Sequence, residues 1–238
     1  MTTTAIPDVV PGFRRRFRIE PSQGEVTSRV EDDYHHMIVT LSHDGQVVRH
    51  LKAQIIRAPW TTCPGAEAVL EQTFVGTSLG EAARRGFKQA NCTHLYDLAV
   101  LAAGHANDHQ PTHYEIHVSD QRNEEVEAEL RRNGETVLHW TLCGIDLRSP
   151  PDLTGKTVLQ LRDWISALPT AEREAAKILQ WACLLAHGRS LPLEQQSDAT
   201  RMPPNCYTFQ PETAARAVRV GRIIDFSRGG RQPLEPGE

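Results

Sequence analysis

The sequence predicts an α+β fold in which an antiparallel sheet packs against helices. Three observations carry this. Residues 13–57 and 114–147 alternate apolar with polar side chains, both blocks contain tight-turn pairs, and helical periodicity is confined to the stretches after each block.

In chain order, Phe13 to Ile19 alternates basic with apolar residues, Val26 to Val30 continues the sheet, and His36 to Leu41 reads as a firmer strand. Asp44-Gly45 tolerates positive φ and so turns the chain back into Val47 to Arg57. Past Thr61-Thr62-Cys63-Pro64 the period changes. Ala66, Val69, Leu70 and Phe74 share one helical face, with Thr62 as N-cap, Pro64 in the first turn and Gly76 as the stop. Ser78 and Glu81 have capping-box spacing for a second helix through Phe87. Asn91 caps a third helix, on which Leu95, Leu98, Ala99 and Ala102 line up. Tyr114 to Val118, Val126 to Arg131 and Val137 to Leu147 form the second strand block, turned by Asn133-Gly134. Pro150-Pro151 ends it, and Lys156 to Ala167 and Ala171 to His187 make a helical hairpin, with Thr170 as N-cap. The elements group into an α+β core over 12–110, additional strands and a helical hairpin over 111–190 packed on the same core, and an irregular segment over 191–238 with a disordered end.

The 238 residues are 39% hydrophobic and 24% charged, enough for a core without covalent staples. No run approaches the roughly 18 apolar positions of a membrane span, and residues 1–11 lack the basic start and apolar stretch of a secretory signal. A cytoplasmic location and no membrane partner are expected. A net charge of -4 argues against a nucleic-acid partner. The dense basic cluster Arg14, Arg15, Arg16 and Arg18 reads as a charged edge strand that resists stray pairing. Five widely spaced cysteines make no disulfide framework. Cys143, Cys183 and Cys206 read as small buried hydrophobes, and His105, His109, His113 and His117 as scattered surface residues.

Two cysteines stand apart. Cys63 precedes or opens one helix and Cys92 opens another, where N–H groups and the helix dipole favour a thiolate. His35 enters the strand whose hairpin partner leads into Cys63, which puts the two on one sheet edge. If the third helix packs across the sheet, Cys92 reaches that edge too. His36, its neighbour, faces the opposite side by strand alternation, so one of the pair at most is a ligand. His94 is a fourth ligand or a proton-transfer group, and Asp97 and His105, on the same helix, are candidates to orient a ligand.

The run from His35 to Ala103 resembles the iron–sulfur cluster scaffold proteins of the NifU and SufU type. The likeness lies in a ligand before a strand, a hairpin, Cys63-Pro64-Gly65-Ala66-Glu67-Ala68, Gly76-Thr77-Ser78-Leu79-Gly80-Glu81-Ala82, and Cys92 opening a helix. That resemblance implies a NifU/SufU-like core in which Cys63 and Cys92 match the second and third metal-binding cysteines and His35 stands in place of the first. The family's aspartate two positions later is Met37 here. Residues 12–106 are also similar to a bacterial family of unknown function with an arginine-rich start, a His-x-Met before a strand, a Pro-x-x-x-Cys-Pro turn and Cys-Thr-His-Leu. The matching residues are Arg14 to Arg16, His35-His36-Met37, Pro59 to Pro64 and Cys92-Thr93-His94-Leu95. The resemblances select His35 over His36.

The expected function is a metal-dependent hydrolase or lyase. One zinc or iron ion sits on His35, Cys63 and Cys92 with an open fourth position, and His94 and Asp97 assist catalysis. Its substrate is expected to be a hydrophobic small molecule, aromatic ones included, in a pocket walled by the second sheet and by tryptophans. Two alternatives stand beside it: a scaffold that handles iron–sulfur clusters, zinc or sulfur, and a structural zinc domain closed by His94. Oligomeric state is not legible in the residues.

Overall fold

A computed structural model describes residues 10–86, 88–192, 196–220, 223–228 and 230–235. The chain forms two compact units. One comprises Phe17–Thr112 with Leu193–Ile224, and the other Met1–Arg16, His113–Pro192 and Asp225–Glu238. Among the described residues eight strands form an antiparallel sheet in the order β4-β3-β2-β1-β5-β6-β7-β8, and β1 (Gly12–Ser22) contributes residues to both units.

In the first unit, β2 (Glu25–Asp32), β3 (His36–His43) and β4 (Val48–Arg57) are successive antiparallel neighbours. Alternation drives them: Val26, Val30, Met37, Val39 and Leu41 are fully buried while their neighbours turn outward. Asp44 makes the β3–β4 turn with its carboxylate, which accepts the N–H groups of Gln46 and Val47, and Gly45 takes φ of 94°. A 3-10 turn, Cys63–Gly65, leads into α1 (Ala66–Phe74), followed by α2 (Leu79–Ala82) and α3 (Thr93–Gly104). Leu95, Leu98, Ala99 and Ala102 of α3 are completely buried, and Ser28 of β2 donates to the Leu98 carbonyl at 2.7 Å, which ties α3 to the sheet. The second helix is shorter than the capping-box spacing suggests. Its Ser78 cap does accept from Glu81, and Phe87 lies outside the described residues. Thr62 does not cap its helix, because its hydroxyl is spent on Thr208.

In the second unit, β5 (Thr112–Ser119), β6 (Val126–Arg132), β7 (Glu135–Cys143) and β8 (Asp146–Ser149) form a meander. The single long strand expected over 137–147 is two, since Gly144, with φ of 60°, turns the chain. Asn133 and Gly134 both have positive φ, as a two-residue hairpin requires. One sheet face is covered by α5 (Thr170–His187), which buries Ala175, Ala176, Leu179 and Ala182; α4 (Arg162–Ala167) precedes it.

Two expectations fail here. β1 is flanked by strands on both sides, so its arginines do not guard an edge. Arg14 and Arg15 are buried, Arg14 donates to the Val10 carbonyl, and Arg16 pairs with Glu115 and Glu235. The end expected to be disordered is tied down at Glu235. Residues 196–220 carry two 3-10 turns and α6 (Pro211–Ala214), and Glu235 at the far end holds Arg16. No described helix is long and apolar enough to cross a membrane.

Candidate metal centre

The turn between β2 and β3 holds three consecutive buried acids, Glu31, Asp32 and Asp33, each at most 2% exposed. Such a concentration of charge needs a counterion inside the fold. Arg57, at the end of β4, supplies it. Its guanidinium donates to the carbonyls of Asp33 (2.7 Å), Asp32 (2.6 Å) and His35 (3.3 Å) and to the Glu31 carboxylate (3.3 Å). The β2–β3 turn is thereby clamped to the strand that leads toward Cys63.

Within the clamp, Asp32 Oδ1 accepts the N–H groups of Tyr34 and His35, both at 2.8 Å, and stands 3.0 Å from His35 Nδ1. A carboxylate on Nδ1 keeps that nitrogen protonated and turns Nε2, with its lone pair, outward. Second-sphere carboxylates fix metal-binding histidines in this way. His35 is buried, and the His94 ring stacks on it with centroids 3.8 Å apart at 28°. Ligand atoms of Asp32, His35 and His94 all lie within 4.8 Å of one another, the group of this kind found among the described residues.

The expected set of His35, Cys63 and Cys92 is therefore divided. His35 goes with His94 and Asp32, and no such group joins it to the two thiols. Cys63 begins the 3-10 turn, and its Sγ lies 3.4 Å from Thr208 Oγ1. Cys92 is the N-cap of α3, the place expected for Asn91, which instead exchanges a side-chain hydrogen bond with Thr73. Both cysteines are buried, and their thiols titrate upward rather than downward. Burial raises Cys63, and burial together with the nearby Cys63 raises Cys92 to about 12, against a weaker downward pull from N–H groups of the first turn of α3. Desolvation outweighs the helix N-terminus here, so the expected free thiolates are thiols unless a cation displaces their protons.

His36 points away from His35, toward Glu31 at 3.8 Å. Asp97 is engaged by a lysine. Both of its oxygens take Lys88 Nζ, at 2.9 Å each. His105 is held by Asp108 at 2.7 Å. His109 and His113 are exposed and His117 is buried, and the described residues show no metal group among them. A cavity at the second sheet has a largely charged lining. It measures ≈ 30 Å³, and its lining includes Arg14, Arg16, Glu115, His117, Glu129 and Arg131 beside Ile116 and Pro233. Trp140 and Trp164 pack edge-on against each other instead.

Sequence reasoning missed Asp32. Asp32 had a signal, because an aspartate three residues before a histidine at a strand turn can bond both the backbone and the ring.

Residues 15–107, less than half of the chain, match the model of a family described as "Protein of unknown function (DUF2889)". No curated protein matches the chain. A solved structure described as "Crystal structure of a Viral Glycoprotein" aligns with 77% of this chain and 60% of its own, at 12% identity and a TM-score of 0.21, too slight a likeness to bear on fold or function. The comparisons add nothing to the NifU/SufU resemblance. The matched residues include Asp32, His35, Cys63, Cys92 and His94.

Proposed function

We propose that the chain binds one zinc or iron ion through His35 and His94, with Asp32 orienting His35, and uses the ion's open positions for hydrolase- or lyase-type chemistry on a small molecule. The observation that carries the reading is the Asp32–His35–His94 group, in which a fully buried carboxylate holds His35 Nδ1 and the His94 ring stacks on the His35 ring. Imidazole and carboxylate donors suit zinc and iron alike. Stacked rings aim their in-plane lone pairs side by side, so taking up the ion requires the His94 ring to tilt. An ion with few protein ligands keeps room for water or substrate, and bound there it would supply a hydroxide or polarise a carbonyl.

Calorimetric titration of the metal-free chain with zinc tests this. One site is expected in the wild type, and its loss is expected in both His35→Ala and His94→Ala. Wild-type heats of dilution only, or an unchanged isotherm in both variants, contradicts the proposal. A scaffold that passes metal or sulfur to a partner remains the second reading, favoured by the order of Cys63 and Cys92 alone.

A further inference from the structure

The basic stretch of β1 and the strands β5 and β6 enclose a cavity of ≈ 30 Å³ in the second unit. Tyr114 of β5 donates its hydroxyl to Glu174 of α5, so by strand alternation Glu115 and His117 face away from that helix. There His117 stands across from Glu129, and Glu115 across from Arg131, on β6. Arg14 and Arg16 line the same space from β1, and Gln232 and Pro233 line it from the C-terminal segment. Glu235 fixes that segment, since its carboxylate accepts the Gln232 N–H at 2.9 Å and Arg16 at 3.0 Å.

The charges sort by depth. Glu115 and Glu235 lie at the rim with Arg16 between them, at 3.3 and 3.0 Å. Deeper, among the described residues of the lining, Arg14 and Arg131 meet one carboxylate, Glu129, which already takes two N–H groups of Arg131 at 3.0 and 3.1 Å and the Thr136 hydroxyl. The interior is therefore positive on balance. His117 registers this. Burial first, and Arg14 next, lower its pKa to about 3 despite Glu129, so the ring is neutral at ordinary pH and has one N–H to give. The ring is 6% exposed, yet neither nitrogen makes a hydrogen bond, and the Val10 carbonyl, close enough to favour its proton slightly, accepts Arg14 at 2.9 Å. Buried polar groups are nearly always paired, so an idle ring beside a space larger than the about 10–15 Å³ of one water marks a place for an acceptor from outside the chain.

We propose that this cavity binds a small free oxyanion, of the class of inorganic phosphate, with Arg14 and Arg131 as charged donors, Arg16 at the rim and His117 as a neutral donor. Guanidinium forks match the spacing of phosphate oxygens, and an anion among them offsets the repulsion of arginines held out of water. The small volume and the cover of Gln232 and Pro233 favour a free ion over a phosphate carried on a larger molecule. The site shares no residue with the imidazole pair of His35 and His94, so each stands or falls separately.

The test is calorimetric titration of the full chain with inorganic phosphate at an ionic strength held constant with sodium chloride. Wild type is expected to show one saturable site and a melting temperature that rises with phosphate but not with chloride. Arg14→Gln is expected to weaken binding at least about tenfold, the loss of one charged hydrogen bond. Arg148→Gln, which removes the same charge from an exposed position on β8, is expected to match the wild type. Glu115→Gln removes the rim carboxylate that competes for Arg16 and is expected to tighten binding about two- to fivefold. A misfolded chain cannot gain affinity, so that variant keeps the test decisive if Arg14→Gln fails to fold. Methyl phosphate, with one group too many for the space, is expected to bind about tenfold more weakly than phosphate. Equal affinity for the two overturns the claim of a free ion. No saturable phosphate site in the wild type, or one affinity shared by Arg14→Gln, Glu115→Gln and Arg148→Gln, overturns the inference as a whole and leaves water as the occupant.

Discussion

Asp32 is the residue on which the imidazole site turns, because one carboxylate serves two backbone N–H groups and a histidine ring. Asp32→Asn preserves an acceptor for the backbone but removes the charge that holds His35 Nδ1–H. Zinc affinity is expected to fall about 10- to 100-fold with little change in melting temperature, read by competition with a chelator. Unchanged affinity would show that Asp32 serves the turn alone. His117 offers a pH-dependent counterpart in the second unit. Burial first, and the charge of Arg14 next, lower its pKa from 6.5 to about 3 despite the opposing Glu129. The unfolded chain therefore takes the proton before the folded one does. His117's contribution to stability is complete above pH 6.5 and is lost as pH falls toward 3, at up to about 1.4 kcal/mol per pH unit. Denaturant unfolding of His117→Gln should show a shallower acid loss than the wild type, and parallel curves would refute the assignment.

At the scale of elements, the sequence was most readable where local chemistry and packing agree. Asn133-Gly134 and Asp44-Gly45 sit where positive φ is needed, and the α3 face of Leu95, Leu98, Ala99 and Ala102 is wholly buried. Since α3 carries both Cys92 and His94, its packing positions the chemistry. Leu95→Ala opens a cavity under it and should cost about 2–5 kcal/mol in chemical denaturation. A cost below about 1 kcal/mol would mean that α3 is not anchored by that face. Periodicity misled where the answer lay in distant partners. Alternating arginines on β1 resemble an edge strand, yet the same pattern also suits a flanked strand whose guanidiniums meet Glu115, Glu235 and a carbonyl. Local sequence cannot separate the two.

Across the molecule, the chemistry depends on segments far apart in the chain. His35 stood out as a candidate ligand from its position before β3 and from resemblance. Its partners were only partly legible, because the choice between His94 and the two cysteines is made by how α3 lies on β2 and β3. The strap over 196–220 was the least legible part. It has little periodicity and is fixed by tertiary contacts, among them Trp60 with Phe209 edge-on and Arg219 5.4 Å above the Trp60 ring. Trp60→Ala should therefore cost about 3–5 kcal/mol and open the strap to limited proteolysis between 196 and 220. Cleavage at wild-type rates would contradict that role.

The central claim is that an ion sits on the imidazole pair, and anomalous scattering at the zinc edge from crystals grown with zinc tests it most directly. The account predicts a peak about 2.0–2.1 Å from His35 Nε2 and from a nitrogen of a tilted His94, with Asp32 still on Nδ1. Anomalous density confined to the cysteines, with His35 and His94 stacked as before, would contradict it.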